Sequence, residues 1–353
     1  MAVLKIIQVM AGADHGGAET AFVDMCVALK QAGENVVVAT RANNDSRIKQ
    51  LKDAGIPVHT MRFGGVLDFF TRAQLTRVIL DFKPEIVQTW MSRAAQKTPR
   101  WRKSMDVPHY QVLSRLGGYY KLKNFKETDY FATITPDIGK FLIDQGVKPG
   151  RVRHINNFAE TENPSAPVPR ASLNTPDEVP LLLTLSRLHT SKALDTLFKA
   201  LAKIPGTWLW LAGEGPEREA LEELARELKI DDRVRFLGWR NDRAALLRAV
   251  DVCVFPSRYE PFGTVFVQAW ANKKPLVVST ADGPRQYVRD GQDSLVFPID
   301  DVDALAAALK RVLTDRPLAA ELVENGYRRY QNEFTKEKTV EAYLDYYREI
   351  TKT

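Results

Sequence analysis

The feature that most restricts the fold is an alternation. Apolar runs of strand length are followed, again and again, by segments with helical spacing. "LKIIQVM" (4–10) is such a run. "GGAETAFVDMCVALKQAG" (16–33) comes next, with Ala21, Met25, Ala28 and Leu29 on one face and a glycine stop. "NVVVAT" (35–40), "IPVHTM", "EIVQTW", "HYQVLS" and "YFATIT" continue the strands, with helical segments such as 71–82 and 136–145 between them. Continuous Val/Ile-rich strands alternating with helices make a parallel sheet covered on both faces.

The alternation breaks at 156–180, "NNFAETENPSAPVPRASLNTPDEVP", a stretch rich in Pro, Ser, Asn and acid, with no periodicity. It then restarts. Strands read at "LLLTLS" (181–186), "TWLWLAG" (207–213), "VRFLG" (234–238), "DVCVFPS" (251–257) and "PLVVST" (275–280), helices at 191–204, 217–229, 242–249 and 264–272. From about 302 onward the chain reads as two or three helical pieces. The expected class is α/β, with two Rossmann-like, doubly wound parallel-sheet domains. The first spans 1–160, a linker spans 161–178, and the second spans 179–334. Ligands of such sheets bind outside the carboxyl ends of the strands. That puts "AGADHGGAE", "SRLHTSK", "AGEGP" and "SRYEPFG" on the rim of a deep cleft between two facing sheets.

Composition narrows the function classes. Hydrophobic residues at 44% and charged residues at 27% are ordinary for a soluble protein with a real core. No apolar run approaches the ~20 residues that span a bilayer. The first ten residues are too short and strand-like for a signal peptide, so a cytoplasmic location is expected. Cys26 and Cys253 lie far apart in apolar surroundings and read as buried thiols. No Cys/His cluster has metal-ligand spacing. The net charge of +6 is uneven: residues 1–160 carry 23 Lys/Arg against 15 Asp/Glu, the rest 27 against 29. Between Arg93 and Lys126 nine basic residues face one acid, Asp106. Such a patch suits an anionic membrane, an anionic substrate or nucleic acid. The last is disfavoured, because the second half is net acidic and no nucleic-acid motif is present.

The strand ends carry the chemistry. In "MAGADHGGAET", Gly16 and Gly17 let backbone approach a ligand at a helix N-terminus, although a tight turn also accounts for them. The pattern is not G-x-G-x-x-G and no acid closes "NVVVATR", which argues against a nicotinamide dehydrogenase. In "TLSRLHTSKALDTL", Arg187 and Lys192 are placed to reach one anionic group, as fork and as point charge. "WLAGEGPERE" puts Gly213 and Gly215 at another strand end, with Glu217 and Glu219 as helix-dipole partners. In "SRYEPFGTVFVQAW", Glu260 can accept sugar hydroxyls just before a helix that opens at Gly263. Gln268 lies inside that helix. Asp301 and Asp303 read as helix-dipole partners, so no metal site is expected.

Five of these segments stand in order: "LSRLHTSKALDTLFKAL", "LAGEGPERE", "VRFLGWR", "VFPSRYEPFGTVFVQAWANKKPLVVSTADGP" and "DGQDSLVFPIDD". In that order and spacing the chain resembles the retaining nucleotide-sugar glycosyltransferases of family 4, which have the GT-B fold. It is similar to bacterial transferases that build the lipopolysaccharide core or lipid-linked saccharides. The likeness covers nearly the whole chain and is strongest in the second half. It implies that Arg187 and Lys192 bind the donor diphosphate. Glu260 would bond the donor sugar, the backbone of Phe262, Gly263 and Thr264 would face sugar and phosphate, and Gln268 would face the ribose. Gly16, Gly17 and Glu19 would line the opposite wall, with Gly213 at the donor site and Phe236 and Trp239 flanking the base. It also implies no cofactor and no metal, and a final helix, 335–353, returning to the first domain. Three departures stand out. Gln268 and Ala193 replace the family's usual Glu and Gly. The family's His near the end of "HYQVLSR" is replaced around Ser114 or Arg115, and His109 at the strand's start reads as structural. Arg115, Gly117 and Gly118 are candidates for the acceptor wall.

The expected function is metal-independent, retaining transfer of a hexose from a nucleotide-diphosphate sugar to a lipid-linked or lipopolysaccharide-core saccharide, at the inner face of a bacterial membrane. "RWRK" and "YYKLKNFK" motivate the membrane contact. Two other readings stand beside it: a catalytically impaired sugar-nucleotide-binding module, marked by Gln268, and another nucleotide-sugar enzyme on the same fold, an epimerase or a soluble-sugar synthase.

Overall fold

The computed structural model describes residues 2–13, 16–65, 68–159 and 166–352. The chain divides into two units, Met1–Phe158 with Lys336–Thr353, and Ala159–Thr335.

The first unit is built on seven strands: β1 (Lys5–Met10), β2 (Asn35–Thr40), β3 (Val58–Thr60), β4 (Ile86–Trp90), β5 (Gln111–Leu116), β6 (Tyr130–Thr133) and β7 (Val152–His154). They run parallel in the order β3-β2-β1-β4-β5-β6-β7. Helices α1 (Gly17–Gln31), α2 (Asp45–Asp53), α3 (Phe69–Phe82), α4 (Met91–Lys97) and α5 (Pro136–Asp144) connect them. Successive side chains of a strand point to opposite faces, and β1 shows why its run is apolar throughout. Ile6 and Met10 pack with Phe22, Cys26 and Leu29 of α1, while Ile7 and Val9 pack with Leu75, Val78 and Ile79 of α3.

The second unit has six parallel strands: β8 (Leu181–Leu185), β9 (Trp208–Ala212), β10 (Val234–Gly238), β11 (Val252–Phe255), β12 (Leu276–Ser279) and β13 (Leu295–Phe297). Their order is β10-β9-β8-β11-β12-β13. Helices α6 (Leu194–Ala202), α7 (Arg218–Glu227), α8 (Arg243–Ala249), α9 (Thr264–Ala271), α10 (Val302–Thr314) and α11 (Arg316–Glu333) belong to it. The last helix, α12 (Lys336–Ile350), packs Val340, Tyr343, Leu344 and Tyr347 into the core of the first unit. Its Tyr347 hydroxyl donates to Gln88 Oε1 at 2.5 Å and accepts from Gln8 Nε2 at 3.3 Å, and Gln8 Oε1 accepts from Trp90 Nε1 at 2.7 Å. Gln8 Nε2 and Gln88 Oε1 inside the first sheet thus find a partner on this helix, while Gln88 Nε2 has none among the described residues.

Strand order reverses direction at β1 in one sheet and at β8 in the other. In doubly wound sheets these are the places where ligands sit.

The aperiodic stretch read as a linker lies partly outside the described residues, at 160–165. From residue 166 onward the chain is pinned to the second unit. Val168 N–H donates to the Ala245 carbonyl at 3.2 Å, and the Arg170 guanidinium reaches the carbonyls of Ala249, Asp177 and Val179 and the Asp251 carboxylate. Thr175 accepts from the buried Trp210 indole at 2.8 Å. The order here comes from polar anchoring, which hydrophobic periodicity does not reveal.

Candidate active site

The second unit gathers its candidate residues at the carboxyl ends of β8 and β11, the two strands on either side of its reversal. After β8 the chain passes Arg187 and makes a short turn, Thr190–Lys192. His189 caps this turn by accepting from Ser191 N–H at 3.1 Å. After β11 it runs through Glu260 to Gly263, where φ of 93° opens α9. Lys192 Nζ and Glu260 Oε2 meet at 2.6 Å, each side chain less than one-fifth exposed. Two residues 68 positions apart, both singled out from the sequence, therefore stand at one point. Arg187 is exposed on the same loop after β8, and no ion pair to it is present among the described residues.

Arg258, which no sequence motif singles out, makes this geometry rigid. Its backbone N–H and that of Tyr259 both donate to the Ser191 carbonyl, at 2.8 and 3.2 Å. Its guanidinium donates to Asp195 at 2.8 Å, Asp300 at 2.9 Å and the Thr190 carbonyl at 2.7 Å. Hydrogen bonds to Asp195 and Asp300 raise the affinity of Arg258 for its proton. Burial pushes the Asp195 carboxyl up, but the Arg258 hydrogen bond and charge outweigh it and hold it below its usual range. Arg258 thus staples the Glu260 loop to the Lys192 turn. A charge-assisted fork of this kind fixes both distance and angle.

Aromatic packing supports the loop from beneath. Phe262 is buried against Phe266, Tyr287 and Phe334, with ring centroids 5.3, 5.4 and 6.4 Å away. Gly283 lies against the Phe262 backbone, where a Cβ would stand 2.5 Å from the Phe262 carbonyl oxygen. Its N–H donates to the Glu260 carbonyl at 2.7 Å. Thr264 is half-buried at the start of α9. Gln268 lies one turn further on, 8% exposed, and its side-chain amide makes no hydrogen bond to another described residue.

The loop after β9 is laced to the loop after β8. Leu188 N–H donates to the Glu214 carbonyl at 3.0 Å, and Glu217 N–H donates to the Leu188 carbonyl at 3.1 Å. A Cβ at Gly213 would stand 1.8 Å from the Ser186 carbonyl oxygen, and one at Gly215 2.2 Å from that of Leu188. Both glycines are required by this close approach of backbones. Phe236 sits beneath the Arg218 guanidinium, 5.2 Å from its ring centroid, and Trp239 is exposed beyond it. Glu217 precedes α7 and Glu219 lies in its first turn, while Asp301 caps α10 by accepting from Ala304 N–H at 2.9 Å. These acids serve helix ends.

The first unit places its candidates at the carboxyl ends of β1 and β5. Gly16 precedes α1 and Gly17 is its first residue. The Glu19 carboxylate folds back to accept from Ala13 N–H at 2.8 Å, in the space a Cβ at Gly16 would fill. The residues Asp14 and His15 of this loop lie outside the described set. Arg47 and Asn43, which no motif marks, brace the same loop: Arg47 Nη1 donates to the Ala13 carbonyl at 3.1 Å and Nη2 to Asn43 Oδ1 at 2.6 Å. Arg115 is fully buried. Its guanidinium stacks 4.2 Å from the Trp90 ring centroid and Nη2 donates to Asn157 Oδ1 at 2.6 Å, while Nε and Nη1 have no hydrogen-bond partner among the described residues. Burial lowers its affinity for its proton. Gly117 lies against this guanidinium and the buried Gly118 comes after it. His109, exposed at the other end of β5, meets the Trp101 ring edge-on at 4.7 Å.

Comparison with known proteins agrees with this layout. Residues 15–163 match the model of "Glycosyltransferase Family 4", and residues 167–329 that of "Glycosyl transferases group 1". Two proteins of Rhizobium meliloti (strain 1021), the lipopolysaccharide core biosynthesis glycosyltransferases LpsE and LpsD, are each 32% identical to this chain. The matches cover 97% of this chain in both cases, with 98% of LpsE and 97% of LpsD. Among solved structures, Anabaena Alr3699/HepE in complex with UDP and glucose superposes with a TM-score of 0.82 at 18% identity, over 97% of this chain and 98% of that one. That likeness is one of fold.

Proposed function

The chain belongs to the glycosyltransferase family that holds these lipopolysaccharide core biosynthesis enzymes, and we propose that within it the chain moves a hexose from a nucleotide-diphosphate sugar to a saccharide of the lipopolysaccharide core or of a lipid-linked precursor, with retention and without a metal. The Lys192–Glu260 pair at the β8/β11 reversal carries this reading. Lys192 and Arg187 supply fixed positive charge where a departing diphosphate develops negative charge. Glu260 accepts hydroxyls of the donor sugar, and the free N–H groups at the start of α9 face sugar and phosphate. Preorganised charge of this kind is usually the largest single contribution to catalysis. Gly16, Gly17 and Glu19 serve the donor from the first unit, and Gly213, Phe236 and Trp239 serve its nucleotide. Gln268 bonds the ribose: its amide keeps an acceptor and adds donors where the family's acid has acceptors only. Arg115, Gly117 and Gly118 shape the acceptor side.

The test is transfer of a labelled hexose to a truncated lipopolysaccharide core in the presence of EDTA, with the anomeric configuration of the product read by NMR. Transfer that persists in EDTA with the donor's configuration supports the reading; an inverted product or a metal requirement overturns that part of it. Gln268 also favours a second reading, a module that binds the nucleotide sugar without turning it over. Binding without product on any core acceptor would select it. Of the nine cations between Arg93 and Lys126, Lys97 and Arg115 are buried and Arg100 and Arg102 are paired with acids; the exposed Arg93, Lys103, Lys121, Lys123 and Lys126 are proposed to meet an anionic membrane. Equal sedimentation with neutral and anionic vesicles would refute that.

A further inference from the structure

The first unit holds a concave pocket of about 570 Å³ whose lining includes none of the residues assigned above to donor or acceptor. It lies beyond the carboxyl ends of β2 and β3, and its walls include Arg41, Asn43, Thr60, Arg62, Phe70 and Gln74. Among the described residues no carboxylate lines it. The size is that of a small-ligand site. A second cavity of this unit, about 550 Å³, differs in kind: its Arg100 and Arg102 are already paired with Asp129 and Glu127.

The pocket is held open by a braced loop. Arg41 donates from Nε to the Arg62 carbonyl at 3.1 Å and from Nη2 to the Phe63 carbonyl at 2.6 Å. Phe63 holds a left-handed backbone, φ 45°, and its N–H donates to Thr71 Oγ1 at 2.9 Å. Asp68 accepts from Gly64 N–H at 2.7 Å and from both groups of Thr71, at 3.0 and 2.5 Å. The buried Lys97 ammonium donates to the carbonyls of Gly65 and Asp68, both at 2.8 Å. All these anchors are polar and local; Val66 and Leu67 lie outside the described residues, and after the anchored Asp68 Phe70 stands 71% exposed, with Phe69 beside it at 72%. Large exposed aromatics mark a recognition surface. The pocket also adjoins the β1–α1 loop: Asn43, one of its walls, donates to the Gly12 carbonyl at 3.4 Å and accepts from Arg47.

We propose that this pocket is a subsite for an acidic sugar of the acceptor, a pyranose bearing phosphate or carboxylate. This rests on the transferase reading. The Phe70 ring takes the apolar C–H face of the sugar. Arg62 and the remaining guanidinium edge of Arg41 take the acid, as a fork suited to either anion. Asn43, Thr60 and Gln74 take hydroxyls. Here the aromatic ring borders a concavity whose remaining walls combine the apolar Ala42 and Met61 with five polar side chains, a mixed lining that fits the two kinds of surface of a saccharide.

The test uses the full chain and trisaccharides as probes, titrated by NMR: neutral maltotriose, a phosphorylated maltotriose and trigalacturonate. Wild type is expected to bind at least one acidic probe about tenfold more tightly than maltotriose, a difference of about 1.4 kcal/mol. The two acidic arms tell phosphate from carboxylate. Arg62→Gln and Phe70→Ala, both at exposed side chains, are expected to weaken acidic binding about tenfold and to leave nucleotide-sugar binding unchanged. Equal binding of acidic and neutral probes, or variants that bind as wild type does, overturns the subsite. So does loss of binding to phosphatidylglycerol vesicles in Phe70→Ala with saccharide binding intact, since the ring then serves a membrane. Acidic-probe binding that depends on Arg62 and Phe70 in a protein that turns over no nucleotide sugar upholds the pocket and removes the transferase reading.

Discussion

Ala193 holds a left-handed backbone, φ 50°, between the Lys192 turn and α6. A Cβ in that region costs on the order of 1 kcal/mol, which glycine avoids. Ala193→Gly is therefore expected to stabilise the chain by about 0.5–1 kcal/mol in urea unfolding. Lys192→Ala should do the opposite to function and little to stability: a loss of about 10²–10³ in kcat, the size of removing one preorganised charge, with the melting temperature nearly unchanged. Gln268→Glu tests the ribose contact; a change in kcat/KM within about tenfold fits one hydrogen bond exchanged for another. Asp68 answers to pH. The Thr71 side chain holds its carboxyl down at about 2. A depressed carboxyl stabilises wherever it is ionised in both states, so its contribution is whole above about pH 4 and lost as pH falls through about 2. NMR shifts of the Phe70 loop should stay constant from neutral pH to about pH 5. Lys192 and Glu260 were legible because their chemistry is plain at predicted strand ends. Arg258 was not, since nothing in "SRYEP" reveals that Asp195 and Asp300 converge on it.

At the scale of elements, the close approach of Gly283 to the Phe262 backbone ties the loop after β12 to the loop after β11. Gly283→Ala has no flexible side chain to displace, so the Glu260 loop must shift. The expected result is a loss of turnover with secondary structure by circular dichroism intact, at a cost of about 1–3 kcal/mol. Tyr347→Phe would leave Gln88 and Gln8 short of a partner inside the first sheet, costing about 1–3 kcal/mol in denaturant unfolding. Long apolar strands such as β1 and β2 were legible end to end, because both faces are buried and every residue carries the signal. The elements that escaped are short or polar. In α2, "DSRIKQLKD", only Arg47 and Leu51 are buried, so no apolar stripe marks it. β7 and β13 have three residues each, too few for a period to show. The ordered segment from residue 166 escaped because Arg170 and Thr175 anchor it by hydrogen bonds, which leave no apolar pattern.

At the scale of the molecule, the positive half and the acidic half of the sequence correspond to two units with separate cores. Sequence order alone predicted two sheets, and the strand order reverses at β1 and at β8, the kind of place where ligands of doubly wound sheets sit. The β8/β11 reversal is proposed to activate a nucleotide-diphosphate sugar through Lys192 and Glu260. The most direct measurement is sugar release from UDP-, GDP- and ADP-hexoses by wild type, Lys192→Ala and Glu260→Gln, with binding monitored by thermal shift in the same samples. One nucleotide sugar is expected to raise the melting temperature of all three proteins and to be hydrolysed slowly by wild type alone. Turnover that survives in both variants, or no nucleotide sugar bound by wild type, would contradict this role of Lys192 and Glu260.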